Sequence, residues 1–177
     1  QTMDAAHLRA VGKEYGIGYT IHLDENMNVA DFNPDVAAAY RNSVVQTIEL
    51  AKKAFNGLCF VNLVDFDAKW GHRRDVNGYA KELENFDVKL QELLQLLTYD
   101  DLLLISADHG NDPTFKGSDH TREKVFLIAY SSKFEHGKVL LEQDSFGCIG
   151  ATILDNFGLY RPAHRVGESL LNQFYKK

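Results

Sequence analysis

The chain has 177 residues, 45% of them hydrophobic, with 19 basic against 25 acidic side chains and a formal charge of −6. That length and apolar content suit one well-buried domain, or a large part of a bigger one, and only 3 prolines argue against a disordered chain. An acidic balance with no basic cluster disfavours a phosphate-backbone partner, so nucleic acid is not an expected ligand.

The first residue is Gln1, and "QTMDAAHLRAVGKEYGIGY" has no start character, so the chain is expected to begin inside something longer. A short helix is expected near Ala5 to Glu14, followed by a weaker strand, "GIGYTIHL". "GIGYTI" lacks the third glycine of a dinucleotide fingerprint and no phosphate-cradling G-x-x-x-x-G-K-[ST] occurs, so nucleotide cofactors are not indicated. Asn33-Pro34 reads as an N-cap with proline at the first helical position, and Val36, Tyr40, Val44, Ile48, Ala51 and Phe55 then recur at helical spacing. Asn56-Gly57 stops that helix. "LCFVNLVDF", Leu58 to Phe66, is a nearly continuous apolar run of the kind expected of a strand covered on both faces.

A second helical stripe runs through Val76, Tyr79, Leu83, Phe86, Leu90, Leu93 and Leu97, and "DLLLISA", Asp101 to Ala107, is a further buried strand. After a polar loop, "VFLIAYS" from Val125 to Ser131 reads as a strand. Asp144 is then placed as the cap of a helix carrying Phe146, Ile149, Ile153 and Phe157 on one face and closed by Gly158. The order αβαβαββα implies an α/β fold, a mostly parallel sheet with helices on both faces, forming a single domain over 1–177. Cys59 and Cys148 lie far apart in apolar surroundings, which suggests neither a disulfide framework nor a zinc knuckle and fits a reducing cytoplasm. The longest apolar runs are far below a membrane span, so no membrane partner is expected.

The chemistry concentrates in two places. "NLVDFDAKWGH" puts Asp67 at the end of one expected strand with His72 five residues on, and "LLLISADH" puts Asp108 and His109 at the end of the next. Ligand sites of open parallel sheets lie beyond the carboxyl ends of the strands, so both clusters should share one edge. His120, in "GSDHT", returns on the loop that leaves the second cluster, with Gly110, Pro113 and Gly117 letting it bend back. Taken alone, each such residue is more often a cap or a satisfied polar group than a ligand. Together, carboxylates and imidazoles converging on one rim would repel or lie unsatisfied without a cation, and mixed N/O ligation suits a borderline to hard divalent ion. Five groups exceed the four ligands of a structural zinc site, so paired ions about 3.5–4 Å apart are the economical reading.

Three segments, "NLVDFDAKWGHRRDVNGYA", "SADHGNDPTFKGSDHTREKVFLIAYS" and "FGCIGATILDNFGL", closely resemble the phosphopentomutases of the alkaline phosphatase superfamily, with a dense match from about Phe60 to Leu159. The G-H-R-R-D and D-H-T-R-E segments separate that resemblance from the cofactor-independent phosphoglycerate mutases, which share the A-D-H-G-N core. Trp70 and Ser118 depart from the Tyr and Thr expected there. The resemblance implies an alkaline-phosphatase-like core and two manganese (Mn2+) ions, one held by Asp108 and His109, the other by Asp67, His72 and His120. It implies a pentose phosphate substrate, ribose or deoxyribose 1-phosphate interconverted with the 5-phosphate through a phosphorylated threonine. That threonine and the substrate-holding cap domain are expected outside this chain, which resembles the C-terminal part of such an enzyme and would need the missing N-terminal part as its partner. The alternatives are a catalytically incomplete metal-binding fragment or a related metal-dependent phosphatase or phosphoglycerate mutase.

Other polar residues have plainer readings. Arg73 and Arg74 could steady a phosphate or pair with Asp75 or a helix terminus, and Arg122 could support a ligand or lie on the surface. Asn111 and Asp112 should cap and shape the loop, the lesser alternative being contact with metal-bound water. Asp65 and Asp119 should point away from the ligands if their segment alternates as a strand. His7, His22, His136 and His164 have no partners at ligand spacing.

Overall fold

The computed structural model describes residues 45, 47–49, 51–53, 56–159 and 166–175. The helix and strand expected before residue 24 lie outside them. Of the helix expected through Phe55, residues 45, 47–49 and 51 are described and are helical, with Ile48 buried. The chain divides into two compact units: one contains the residues up to Leu96 together with His109–Glu123, the other Leu97–Asp108 and everything from Lys124 onward.

In the first unit, Leu58–Phe66 is not the expected strand. Leu58 makes an isolated bridge, 59–63 pairs with nothing among the described residues, and Phe60 is largely exposed. An apolar run becomes a strand only where a neighbour satisfies its backbone groups. Instead the chain enters a π-helix, Phe66–Gly71, whose signature bond is His72 N–H to Asp67 O at 2.9 Å. Helix α1, Val76–Leu94, follows, and Asp75 caps it by accepting from Gly78 N–H at 2.8 Å. Phe66 packs edge-on against Tyr79 and Phe86 of α1, with centroids 5.4 and 6.4 Å apart, which fixes the π-helix on α1. The α1 stripe is only partly buried: Leu93 is enclosed and Phe86 half-buried, while Val76 and Leu83 are exposed.

In the second unit, β1 (Leu103–Ser106) and β2 (Leu127–Tyr130) fall inside the two strands expected there, and they pair antiparallel with Leu103 opposite Tyr130 and Ser106 opposite Leu127. The mostly parallel sheet is therefore not found among the described residues. A parallel pair needs a crossover, usually a helix, whereas the chain between β1 and β2 holds none and simply doubles back. Leu127 and Ala129 face inward, and Ile128 and Tyr130 outward.

Helix α2, Gly147–Asn156, differs from expectation at its start and in its face. Phe146 stands at the cap, and the side chain that accepts from Gly147 N–H is Ser145 Oγ at 3.0 Å, not Asp144. Buried on α2 are Cys148, Ala151 and Thr152, while Phe146 and Phe157 stay exposed, because small side chains let α3 (Leu171–Tyr175) and the turn before it approach closely. Gly158 closes α2 with φ +63°, as its sequence position suggests. Cys148, Leu170 and Phe174 form the buried cluster, flanked by Leu104 and Leu127 from the sheet.

Thr152 joins α2 to α3. Its Oγ1 donates to Cys148 O at 2.6 Å and accepts from Leu170 N–H at 2.9 Å. Thr152→Val keeps the shape but leaves the Leu170 N–H buried without a partner, so urea unfolding should show a loss of about 1–3 kcal/mol. An unchanged midpoint would mean that this bond contributes nothing.

Candidate metal centre

The five-residue spacing of Asp67 and His72 is misaligned on an α-helix, where five steps rotate the second residue by about 140° from the first. An i→i+5 turn reduces that offset, and single π-turns are frequent at functional sites. In the π-helix His72 Nε2 stands 3.3 Å from Asp67 Oδ2. His120 arrives on the Gly110–Thr121 loop, which His109 directly precedes and whose ends are pinned by an antiparallel bridge between Gly110 and Thr121, with Thr121 N–H donating to Gly110 O at 3.0 Å. Closing the loop stacks His120 on His109, centroids 3.7 Å apart, and places His120 Nε2 3.3 Å from Asp67 Oδ1 and 3.1 Å from His72 Nε2.

Four of the five residues singled out by sequence thus meet: Asp67, His72, His109 and His120. Ligand atoms of Asp67, His109 and His120 all lie within 4.8 Å of one another. Asp108 is exposed and ends the other compact unit, and it is not among the three residues whose ligand atoms converge.

The hydrogen bonds around the cluster define which atoms are free to bind. His72 Nδ1 faces Ser118 O, and a carbonyl only accepts, so Nδ1 donates to it and Nε2 is the ring nitrogen turned toward the cluster. Nε2 faces the Asp67 carboxylate. With the Asp67 carboxylate and the Nε2 atoms of His72 and His120 turned toward one another, the cluster offers oxygen and nitrogen donors to a divalent cation. The mixed O and N donor set suits a borderline ion, and the partly exposed setting leaves room for an additional ligand.

Asn111 and Arg74 tie the cluster together. Asn111 Nδ2 donates to Asp67 Oδ1 at 2.6 Å and its Oδ1 accepts from Arg74 Nη1 at 2.6 Å. Arg74 also reaches Gly71 O at 3.1 Å, Asp112 O at 2.7 Å and the carbonyls of Gly117 and Asp119. Arg74 is therefore held by the loop rather than paired with Asp75, and Arg73 is exposed. Asp112 shapes the loop as expected: the Thr114 hydroxyl and N–H both donate to it at 2.7 Å and hold its carboxyl below the usual range. Burial, then the Asp67 carboxylate, raises the Tyr79 phenol above its ordinary value. Asp65 lies on the π-helix side of the chain, 3.8 Å from Lys69 Nζ. Trp70 packs under Lys69 Nζ, 4.4 Å from the ring centroid.

Sequence reading gave Asn111 a shaping role, with contact to metal-bound water as the alternative, and left Arg74 open. The signal that could have found them is chemical: a carboxylate beside histidines needs an orienting donor, and Asn111 lies in the same loop. Gly71 leaves the space Asn111 uses, since a Cβ there would sit 2.6 Å from Asn111 Nδ2 and 2.9 Å from Phe66 O. Gly71→Ala should push Asn111 off Asp67 and weaken divalent-ion binding about tenfold by calorimetry, the lower end for losing a partner of a metal ligand. Wild-type affinity in that variant would show that Asn111 does not matter to the site.

The metalloenzyme superfamily profile matches residues 10–161. Curated phosphopentomutases of Agathobacter rectalis (56% identical), Clostridium beijerinckii (57%) and Clostridium perfringens (57%) align over 128 residues, 72% of this chain and 32% of each relative. The chain thus spans about a third of the length of these relatives. No helix among the described residues is long and apolar enough to cross a membrane.

Proposed function

Because this chain belongs to the metalloenzyme superfamily, we propose that it forms the metal-bearing, C-terminal part of a phosphopentomutase. That enzyme would interconvert (deoxy)ribose 1-phosphate and (deoxy)ribose 5-phosphate in the cytoplasm by phosphoryl transfer. The observation that carries the proposal is the meeting of Asp67 with His72 and His120, each 3.3 Å away, and the stacking of His109 on His120, in a chain similar to curated phosphopentomutases. On this reading residues 1–177 belong to one alkaline-phosphatase-like α/β core, and the ligands are Asp67, His72, Asp108, His109 and His120, shared between two Mn2+ ions.

A bound divalent ion supplies Lewis-acid stabilisation of charge on the transferred phosphoryl group. The chain's own residues prepare for it. Ser118 O holds the His72 ring with Nε2 forward, Asn111 aims the Asp67 carboxylate, and the Gly110–Thr121 bridge delivers His120. The threonine that carries the phosphoryl group is assigned outside this chain, so the 177-residue chain alone should bind metal without turning over.

The test is elemental analysis of the chain after manganese loading and dialysis, together with assays of ribose 1-phosphate isomerisation by this chain and by a protein that continues it at its N-terminus. Bound manganese, no turnover by the chain and isomerisation by the longer protein support the reading. Hydrolysis of the phosphate ester without isomerisation favours a related phosphatase, and a chain that retains no divalent ion removes the basis of the proposal.

A further inference from the structure

We propose that Arg74 is a positioning residue of the metal centre, acting on two ligands at once through groups it does not share with them. The inference rests on the metal reading above and extends it to a residue that touches no ion. Arg74 donates to the carbonyls of Gly117 and Asp119, which flank Ser118, and Ser118 O is the group that accepts from His72 Nδ1. It also donates to Asn111 Oδ1, and since Arg74 has only donors, the Asn111 amide must turn its NH2 toward Asp67 Oδ1. One guanidinium therefore sets the ring of His72 and the carboxylate of Asp67. His120 follows Asp119 directly, so the same anchor sets where the third ligand enters.

The backbone supports this reading. Arg74 has φ +55°, the left-handed region that a non-glycine residue occupies only where its surroundings over-determine it. Here the surroundings are five acceptors on one side chain: Gly71 O, Asn111 Oδ1, Asp112 O, Gly117 O and Asp119 O. The planar fork reaches them from all three nitrogens, Nε to Gly117 O, Nη2 to Asp119 O and the two N–H groups of Nη1 shared among Gly71 O, Asn111 Oδ1 and Asp112 O, a spread that a lysine ammonium, with its three donors at one point, does not reproduce. The bonds to the loop span separations of 37 to 45 residues, so Arg74 ties the chain just before α1 to a loop that contains no helix or strand of its own.

The experiment compares wild type, Arg74→Lys and Asn111→Leu as the full 177-residue chain. Mn2+ affinity is measured by calorimetry, Co2+ absorption reports the ligand field, and urea unfolding of the metal-free proteins gives stability separately. Arg74→Lys should bind Mn2+ about 10–100-fold more weakly, with a changed Co2+ spectrum. Asn111→Leu keeps the bonds from Arg74 to the loop carbonyls and should weaken binding in the same direction, which keeps the idea testable if Arg74→Lys does not fold. Lower metal-free stability with wild-type affinity and spectrum would make Arg74 a purely structural residue and overturn the proposal. Wild-type protein that binds neither ion would overturn the metal reading itself, a result distinct from an effect confined to the variants.

Discussion

His120→Ala is expected to weaken divalent-ion binding by more than about 100-fold and to reduce the proposed isomerase turnover by orders of magnitude. Even residues that only orient a ligand are worth about 10–100-fold in metal affinity, and His120 is itself placed as a ligand. Its Nε2 lies 3.3 Å from Asp67 and 3.1 Å from His72, and its ring stacks on His109, so removing it opens the centre of the cluster rather than its edge. The side chain is exposed on a loop, so unfolding of the metal-free protein should change by no more than about 0.5 kcal/mol. Elemental analysis is the direct readout for the chain, and the isomerisation assay for the longer protein. Full manganese occupancy in the variant would remove His120 from the ligand set.

Leu170→Ala should have the largest effect on stability. Leu170 is 1% exposed and sits with Cys148 and Phe174 in the buried cluster of the second unit. Truncating a leucine in such a place loses transfer free energy and leaves a cavity, together about 2–5 kcal/mol. The denaturant midpoint should fall accordingly, because marginal stabilities of this size class leave little reserve. Ion affinity of the fraction that remains folded is a separate measurement, since none of the proposed ligands lies in this cluster. A midpoint within experimental scatter of wild type would mean that the cluster does not support the fold.

Much of the helical structure was legible before any coordinates. The stripe from Val76 onward is α1, Gly158 does end α2, and the apolar cores of the last two expected strands are β1 and β2. Local pattern suffices there because helix periodicity and C-terminal glycine act within a few residues. The misreadings have one physical origin. Leu58–Phe66 has strand composition, but whether a run becomes a strand depends on a neighbour that composition does not reveal. The face of α2 was assigned to its large apolar side chains, whereas close packing of α3 selects the small ones.

The candidate site divides in the same way. The sequence by itself determined the inventory: an Asp and a His five residues apart, an Asp-His pair after an apolar run, and a third His on a loop rich in turn formers. Residue chemistry was enough to link that inventory to a divalent cation. Only the tertiary structure decided that Asp67 and His72 come into register through a π-turn, and that β1 and β2 run antiparallel. It also decided that Arg74 holds the Gly110–Thr121 loop. These outcomes rest on hydrogen bonds between groups many residues apart, whose geometry follows from how the chain closes on itself, whereas sequence patterns report the preferences of near neighbours.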